Sequence, residues 1–158
     1  MRESSDPGKS AKLQLERFVP FRLNRLAVAV SENLSQIYRE SFGLDVPEWR
    51  VLVTVCAGNG CTAQHIVAST RMHKTRVSRA VAGLVHRKLI EQTANPADAR
   101  EMPLHATRAG EQLYQRLVPL ALAREQEILS CLDTVQRQAF LDALDRLEAS
   151  LDLGDAGG

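Results

Sequence analysis

The 158-residue sequence predicts a mostly helical α+β domain: six helices, with one two-stranded hairpin between the fourth and the fifth. Three observations predict it. Apolar residues recur at spacings of three and four over long stretches, the period of a helix with one buried face. Capping residues stand just ahead of several of these stretches. Between residues 89 and 106 the pattern changes to alternation around a turn, the period of paired strands. Apolar residues make up 44% and charged residues 25%, ordinary for a globular domain, and the length suits a single core.

The elements follow in order. Residues 1–12 are polar with Pro and Gly and read as a mobile tail. Leu15, Val19, Leu23, Leu26, Val30, Leu34 and Ile37 form one helical stripe, with the long helix starting near Pro20 and Gly43 as its left-handed cap. Asp45 and Glu48 have capping-box spacing ahead of a second helix over 47–57, which carries Trp49, Leu52, Val53 and Cys56 on one side. Thr62 caps a short third helix over 63–69, with Gln64 and His65 outward. A turn at 70–73 leads into a fourth helix over 74–87, with Val77, Val81, Leu84 and Val85 inward. Strands are expected at 89–93 and 101–106, the second with Met102, Leu104 and Ala106 on one side, joined around Asn95-Pro96. Thr107 caps a fifth helix to about Ser130, kinked at Pro119. Asp133 and Gln136 cap a sixth, with Phe140, Leu144, Leu147 and Leu151 in its stripe, and residues 154–158 form a second tail.

Charge is unevenly placed. The chain totals +1, yet residues 62–100 hold Arg71, Lys74, Arg76, Arg79, Arg87, Lys88 and Arg100 against only Glu91 and Asp98. That segment is +5 and the rest is −4. Such a cluster attracts polyanions. Helices two to four with the hairpin compose a winged helix-turn-helix over 45–106. The helices over 13–44 and 107–153 carry apolar stripes longer than a small domain needs, and a second copy of the chain is the simplest cover for them, giving an obligate homodimer.

With these residues in hand, the chain resembles the MarR family of bacterial transcription regulators over roughly residues 15–150. Leu44-Asp45-Val46-Pro47-Glu48-Trp49-Arg50-Val51-Leu52 looks like that family's second-helix entrance, and His73-Lys74-Thr75-Arg76-Val77-Ser78-Arg79-Ala80-Val81 like its recognition helix. Asp98-Ala99-Arg100, followed by Ala106-Thr107-Arg108-Ala109-Gly110, matches its wing signature. There are departures: Ala106 stands for a usual Leu, Gln92 for a wing Arg, Arg71 for a turn Gly, and Lys88 for a Gly after the recognition helix, which predicts a different helix ending there.

The resemblance implies a DNA-binding regulator, a repressor by family habit, that grips a pseudo-palindromic operator as a dimer. Helical spacing puts Thr75, Ser78 and Arg79 on the leading face of the fourth helix, beside His73 at its start. Arg79 suits guanine O6 and N7, and Thr75 and Ser78 suit a base or a phosphate. Lys74, Arg76 and Arg71 suit phosphates. Arg100 at the hairpin tip suits the minor groove, with Asp98 holding a neighbouring Arg. The resemblance also implies a small aromatic carboxylate or phenol as effector, bound between the terminal helices and the winged domain. Phe18, Phe21, Arg22, Arg25, Trp49 and Arg50 are the candidate contacts, an aromatic wall with Arg groups.

Two other readings stay open: a thiol sensor using Cys61, which precedes a helix N-terminus, and a winged helix that binds protein instead of DNA. Cys56 and Cys131 read as small core residues. His65, His73, His86 and His105 lack metal-site spacing, and no cofactor, metal site or catalytic motif is expected, so the chain is not read as an enzyme. Three cysteines, no apolar run of membrane length and no leader segment point to the cytoplasm.

Overall fold

A computed structural model describes residues 12–58, 60–94 and 102–153. A single 3-10 turn, Leu15–Arg17, precedes α1 (Val19–Phe42). Pro20 lies in the first turn of α1, where its missing N–H costs nothing, and Gly43 ends the helix at φ 61, as the sequence predicts. Next come α2 (Val46–Ala57), α3 (Ala63–Thr70), α4 (Lys74–His86), β1 (Ile90–Gln92), β2 (Leu104–Ala106), α5 (Arg108–Leu129) and α6 (Thr134–Ser150). Boundaries agree with the sequence reading to within a residue or two, except in the hairpin.

The caps hold as their residues predict. Asp45 and Glu48 close a capping box, with Glu48 N–H donating to Asp45 at 2.8 Å and Asp45 N–H donating to Glu48 at 3.0 Å. Asp133 and Gln136 repeat it at 2.8 and 3.0 Å. Thr62 accepts from His65 N–H at 3.1 Å. Thr107 accepts from Gly110 N–H at 3.1 Å, while its own hydroxyl donates to the Lys88 carbonyl at 2.7 Å. Here the Thr-x-x-Gly spacing has a steric cause: a Cβ on Gly110 would run into the Leu89 carbonyl, so only glycine lets α5 start this close to the exit of α4.

The hairpin is antiparallel, pairing Ile90 with Ala106 and Gln92 with Leu104. Cys61 adds a bridge to Leu104 on the other side, with N–H···O distances of 3.0 and 2.8 Å. The strands are shorter than predicted. Pro103 has no N–H for the ladder, so β2 starts at Leu104. Met102 therefore falls outside the alternation and is exposed, not inward as expected. Lys88 does not change the ending of α4 as its side chain predicts; it takes the left-handed conformation itself, at φ 58.

The core lies in the winged module. Leu44, Leu52, Val55, Ile66, Val77, Leu84, Ile90 and Leu104 are buried, joined by Tyr38 from α1 and Leu117 from α5. The α2 and α4 helices share the largest contact. By contrast α6 buries no residue, and the N-terminal half of α1 exposes Val19, Leu23, Leu26 and Val28. Pro119 sits inside α5, which stays helical on both sides of it.

Candidate nucleic-acid interface and effector crevice

Helix α4 has one buried and one exposed side. Val77, Ala80, Val81 and Leu84 enter the core. Thr75, Arg76, Ser78, Arg79, Ala82 and His86 face out. His73 caps the helix: its Nδ1 accepts the Thr75 N–H at 3.3 Å. No acid stands in the first turn, so the positive end of the helix dipole, Lys74 and Arg76 act together. Among the described residues Lys74, Arg76 and Arg79 make no ion pair. This face offers hydroxyls and one long planar cation to base edges, with charges beside them for phosphates.

Two basic residues of the cluster are otherwise engaged. Arg71, left-handed at φ 55 in the α3–α4 turn, donates to the Asp152 carbonyl at 3.0 Å. Arg87 donates to the Phe42 and Gly43 carbonyls at the end of α1, at 2.8 and 3.0 Å. Asp98 and Arg100 lie outside the described residues. A groove of about 950 Å³ runs beside Ser78 between α3, α4 and β1, lined by Gln64, Ala82 and Gln92 over Val67 and Val81. Sequence reading missed Gln64 and Ala82 as candidates. Their signal was the helical period: Ala82 falls one turn beyond Ser78 and Arg79 on the same face.

The six effector candidates do not form one group within the chain. Trp49 stacks on Tyr38, with ring centroids 4.6 Å apart and planes at 24°. Both rings line an apolar crevice of about 760 Å³ with Val30 and Leu34 of α1, Ile128 of α5, and Phe140 and Leu144 of α6. Burial pushes the Tyr38 hydroxyl's pKa up, and the Arg50 charge opposes this only in part. Arg50 follows Trp49 in α2, is exposed, and is near enough for its charge to act on Tyr38. Phe18, Phe21, Arg22 and Arg25 cluster at the other end of α1, roughly 20–30 Å from Tyr38 at about 1.5 Å per residue. There the Arg25 guanidinium lies 5.7 Å over the Phe21 ring, and Arg22 and Arg25 line a second groove with Val19 and Leu26.

The thiols depart from expectation. Cys61 is half-buried in its bridge to Leu104, and burial pushes its pKa up, the opposite direction from that expected of a sensor thiol before a helix N-terminus. Burial and the nearby Glu111 push Cys56 up to about 11. Cys131 is exposed at the rim of the apolar crevice, not a core residue. His65 and His105 are half-buried, not exposed, because α3 and β2 turn them toward the module. Among the described residues no three His, Cys, Asp or Glu side chains gather as a metal site, and no helix is long and apolar enough to cross a membrane.

Comparison with known proteins gives consistent matches. The family model for the MarR family matches residues 42–101. A comparison with curated proteins finds no match. Among solved structures, a MarR/EmrR family transcriptional regulator from Acinetobacter sp. ADP1 is similar at 26% identity and TM-score 0.79, covering 89% of this chain and 99% of that one. BpsR of Bordetella bronchiseptica is similar in fold at 22% identity and TM-score 0.78, covering 87% and 98%. CouR from Rhodococcus jostii RHA1 is similar in fold at 21% identity and TM-score 0.73, covering 86% and 95%. The winged segment over residues 42–101 matches the MarR family model, and the chain as a whole is similar in sequence and fold to the MarR/EmrR family regulator from Acinetobacter.

Proposed function

We propose that the chain is a ligand-responsive, DNA-binding repressor of the cytoplasm that grips a pseudo-palindromic operator as a homodimer. The observation that carries it is the α4 face: Thr75, Ser78 and Arg79 exposed together, with Lys74 and Arg76 beside a capped, acid-free helix start. A protein-docking winged helix would favour an apolar or mixed face there. Dimerisation is supported by α6 and the first half of α1, whose apolar side chains lack cover within one chain. Two copies would set two recognition helices about 34 Å apart along a duplex. By sequence position alone, Arg100 is assigned to the flanking minor groove, Asp98 to holding a neighbouring Arg, and Arg71 to phosphates beside the α4 face.

The effector is proposed to enter the crevice at Tyr38 and Trp49, with Arg50 supplying charge for a carboxylate or phenolate. The cluster of Phe18, Phe21, Arg22 and Arg25 joins only if a second copy brings it across. BpsR, with DNA binding regulated by 6-hydroxynicotinic acid, and CouR, bound to p-coumaroyl-CoA, support an aromatic ligand on this fold. No catalytic step is assigned.

The test is selection of duplexes from random-sequence DNA by the purified protein. Binding is expected to weaken steeply with salt. Arg79→Ala should cost about 1–3 kcal/mol and relax one base position, while Lys74→Ala should weaken all sequences alike and lower the salt slope by about 1. A folded protein that enriches no duplex overturns the reading. A thermal-shift screen of aromatic acids and phenols tests the effector, since a ligand of the native state raises the melting temperature.

A further inference from the structure

The exit of the recognition helix is tied to the end of α1 by one side chain. Arg87 caps α4 and sends Nη2 to the Phe42 carbonyl at 2.8 Å and Nη1 to the Gly43 carbonyl at 3.0 Å. These acceptors lie where α1 runs out of N–H partners and its dipole is negative. Glu48 of α2 completes the junction. Its Oε2 accepts from Asp45 N–H at 3.0 Å and stands 3.9 Å from Arg87 Nη1. Its Oε1 lies across α4 at Gly83, where a Cβ would come within 2.7 Å. The Phe42 ring is in turn covered by Arg116 of α5, 5.5 Å from the ring centre. Three helix ends meet at one guanidinium, and α5 packs over the Phe42 ring beside it through Arg116.

By charge alone Arg87 counts among the cations that would meet phosphates. The geometry points to a different role: Arg87 is a positioning residue that locks the recognition helix to α1 and so sets the spacing between the two reading helices of a dimer. This rests on the DNA-binding reading above and sharpens it. A planar fork holding two carbonyls fixes both distance and angle, which a lysine point charge does not. The Glu48 carboxylate offsets part of its charge, leaving less for a phosphate. Because α1 continues into the apolar stripe that a second copy would cover, the orientation of α4 is referred to the dimer through this junction and not through the hairpin alone.

The experiment uses the full chain and the duplex that the unmodified protein enriches from random-sequence DNA, plus copies with one or two base pairs inserted between the half-sites. Dissociation constants are measured over a salt series for the unmodified protein, Arg87→Ala and Arg87→Lys. Arg87→Ala is expected to weaken binding to the enriched duplex by about 3- to 30-fold. Its salt slope should stay unchanged, and its preference for the original spacing should collapse toward one. Should Arg87→Ala fail to fold, Arg87→Lys carries the test: it keeps the charge, so its slope holds, but it loses spacing preference. A slope reduced by about 0.9 with spacing preference intact makes Arg87 a phosphate contact and overturns the inference. Unchanged affinity and spacing preference overturn it too. An unmodified protein that enriches no duplex overturns the DNA-binding reading and this inference with it; one that does leaves only Arg87 in question.

Discussion

The winged module and the terminal helices use the same local signals with opposite results. In the module, a capping box and apolar stripes lead to burial: Leu44, Leu52, Ile66, Leu84 and Leu104 have no exposed surface. In α6 an equally good capping box starts a helix with Leu144, Leu147 and Leu151 in its stripe, yet nothing on it is buried, and Leu151 is 66% exposed. Local propensity starts both helices; tertiary cover separates them. A module that closes on its own core can hold a rigid reading face, whereas helices left uncovered make their stability depend on another surface.

The comparison can be broken first at its packing. Leu84→Ala is expected to cost about 2–5 kcal/mol in urea unfolding at any protein concentration, because the cavity opens inside one chain. Leu147→Asp should leave the module's circular dichroism intact and cost roughly 1.5–3 kcal/mol of association, read as a shift to monomer in sedimentation. A dimer untouched by Leu147→Asp would remove α6 from the covering surface.

A smaller effect sharpens it. Asp45→Ala and Asp133→Ala delete the same cap and should each cost about 1 kcal/mol of helix stability. The first is expected to lower the unfolding midpoint directly. The second should act through α6 and grow as the protein is diluted. Equal, concentration-independent losses would mean that the two regions are not energetically distinct.

The smallest effect is chemical. With its thiol pushed up to about 11, Cys56 stays protonated near neutrality. Iodoacetamide should modify the exposed Cys131 before Cys56 and Cys61 at pH 8, by mass spectrometry of the intact chain. The sign of the linkage is set by the raised value. The folded state keeps a proton the unfolded thiol gives up, so Cys56 costs no stability below about pH 9 and lowers it as pH climbs from about 9 to 11. Rapid loss of Cys61 at pH 8 would restore a sensor role.

How legible the molecule was differs by residue. Gly43, the two capping boxes and Thr107 were readable because each acts within four positions of the chain, where sequence distance is spatial distance. The face of α4 was readable because a helix turns 100° per residue whatever surrounds it. The main-chain acceptors of Arg87 and Arg71 were not readable, because they lie 44 and 81 positions away. The effector set was joined on residue type alone, and the length of α1 pulls it apart.

Repeating local periods and caps in the amino-acid order were sufficient to determine six helices, a hairpin and one exposed basic helix face, since their energies are settled among near neighbours. Which cations are spent on main-chain carbonyls, which thiols are shielded and which apolar stripes stay bare was decided only by the packing. Those outcomes depend on what the rest of the chain brings within a few ångströms, and no period in the sequence records it.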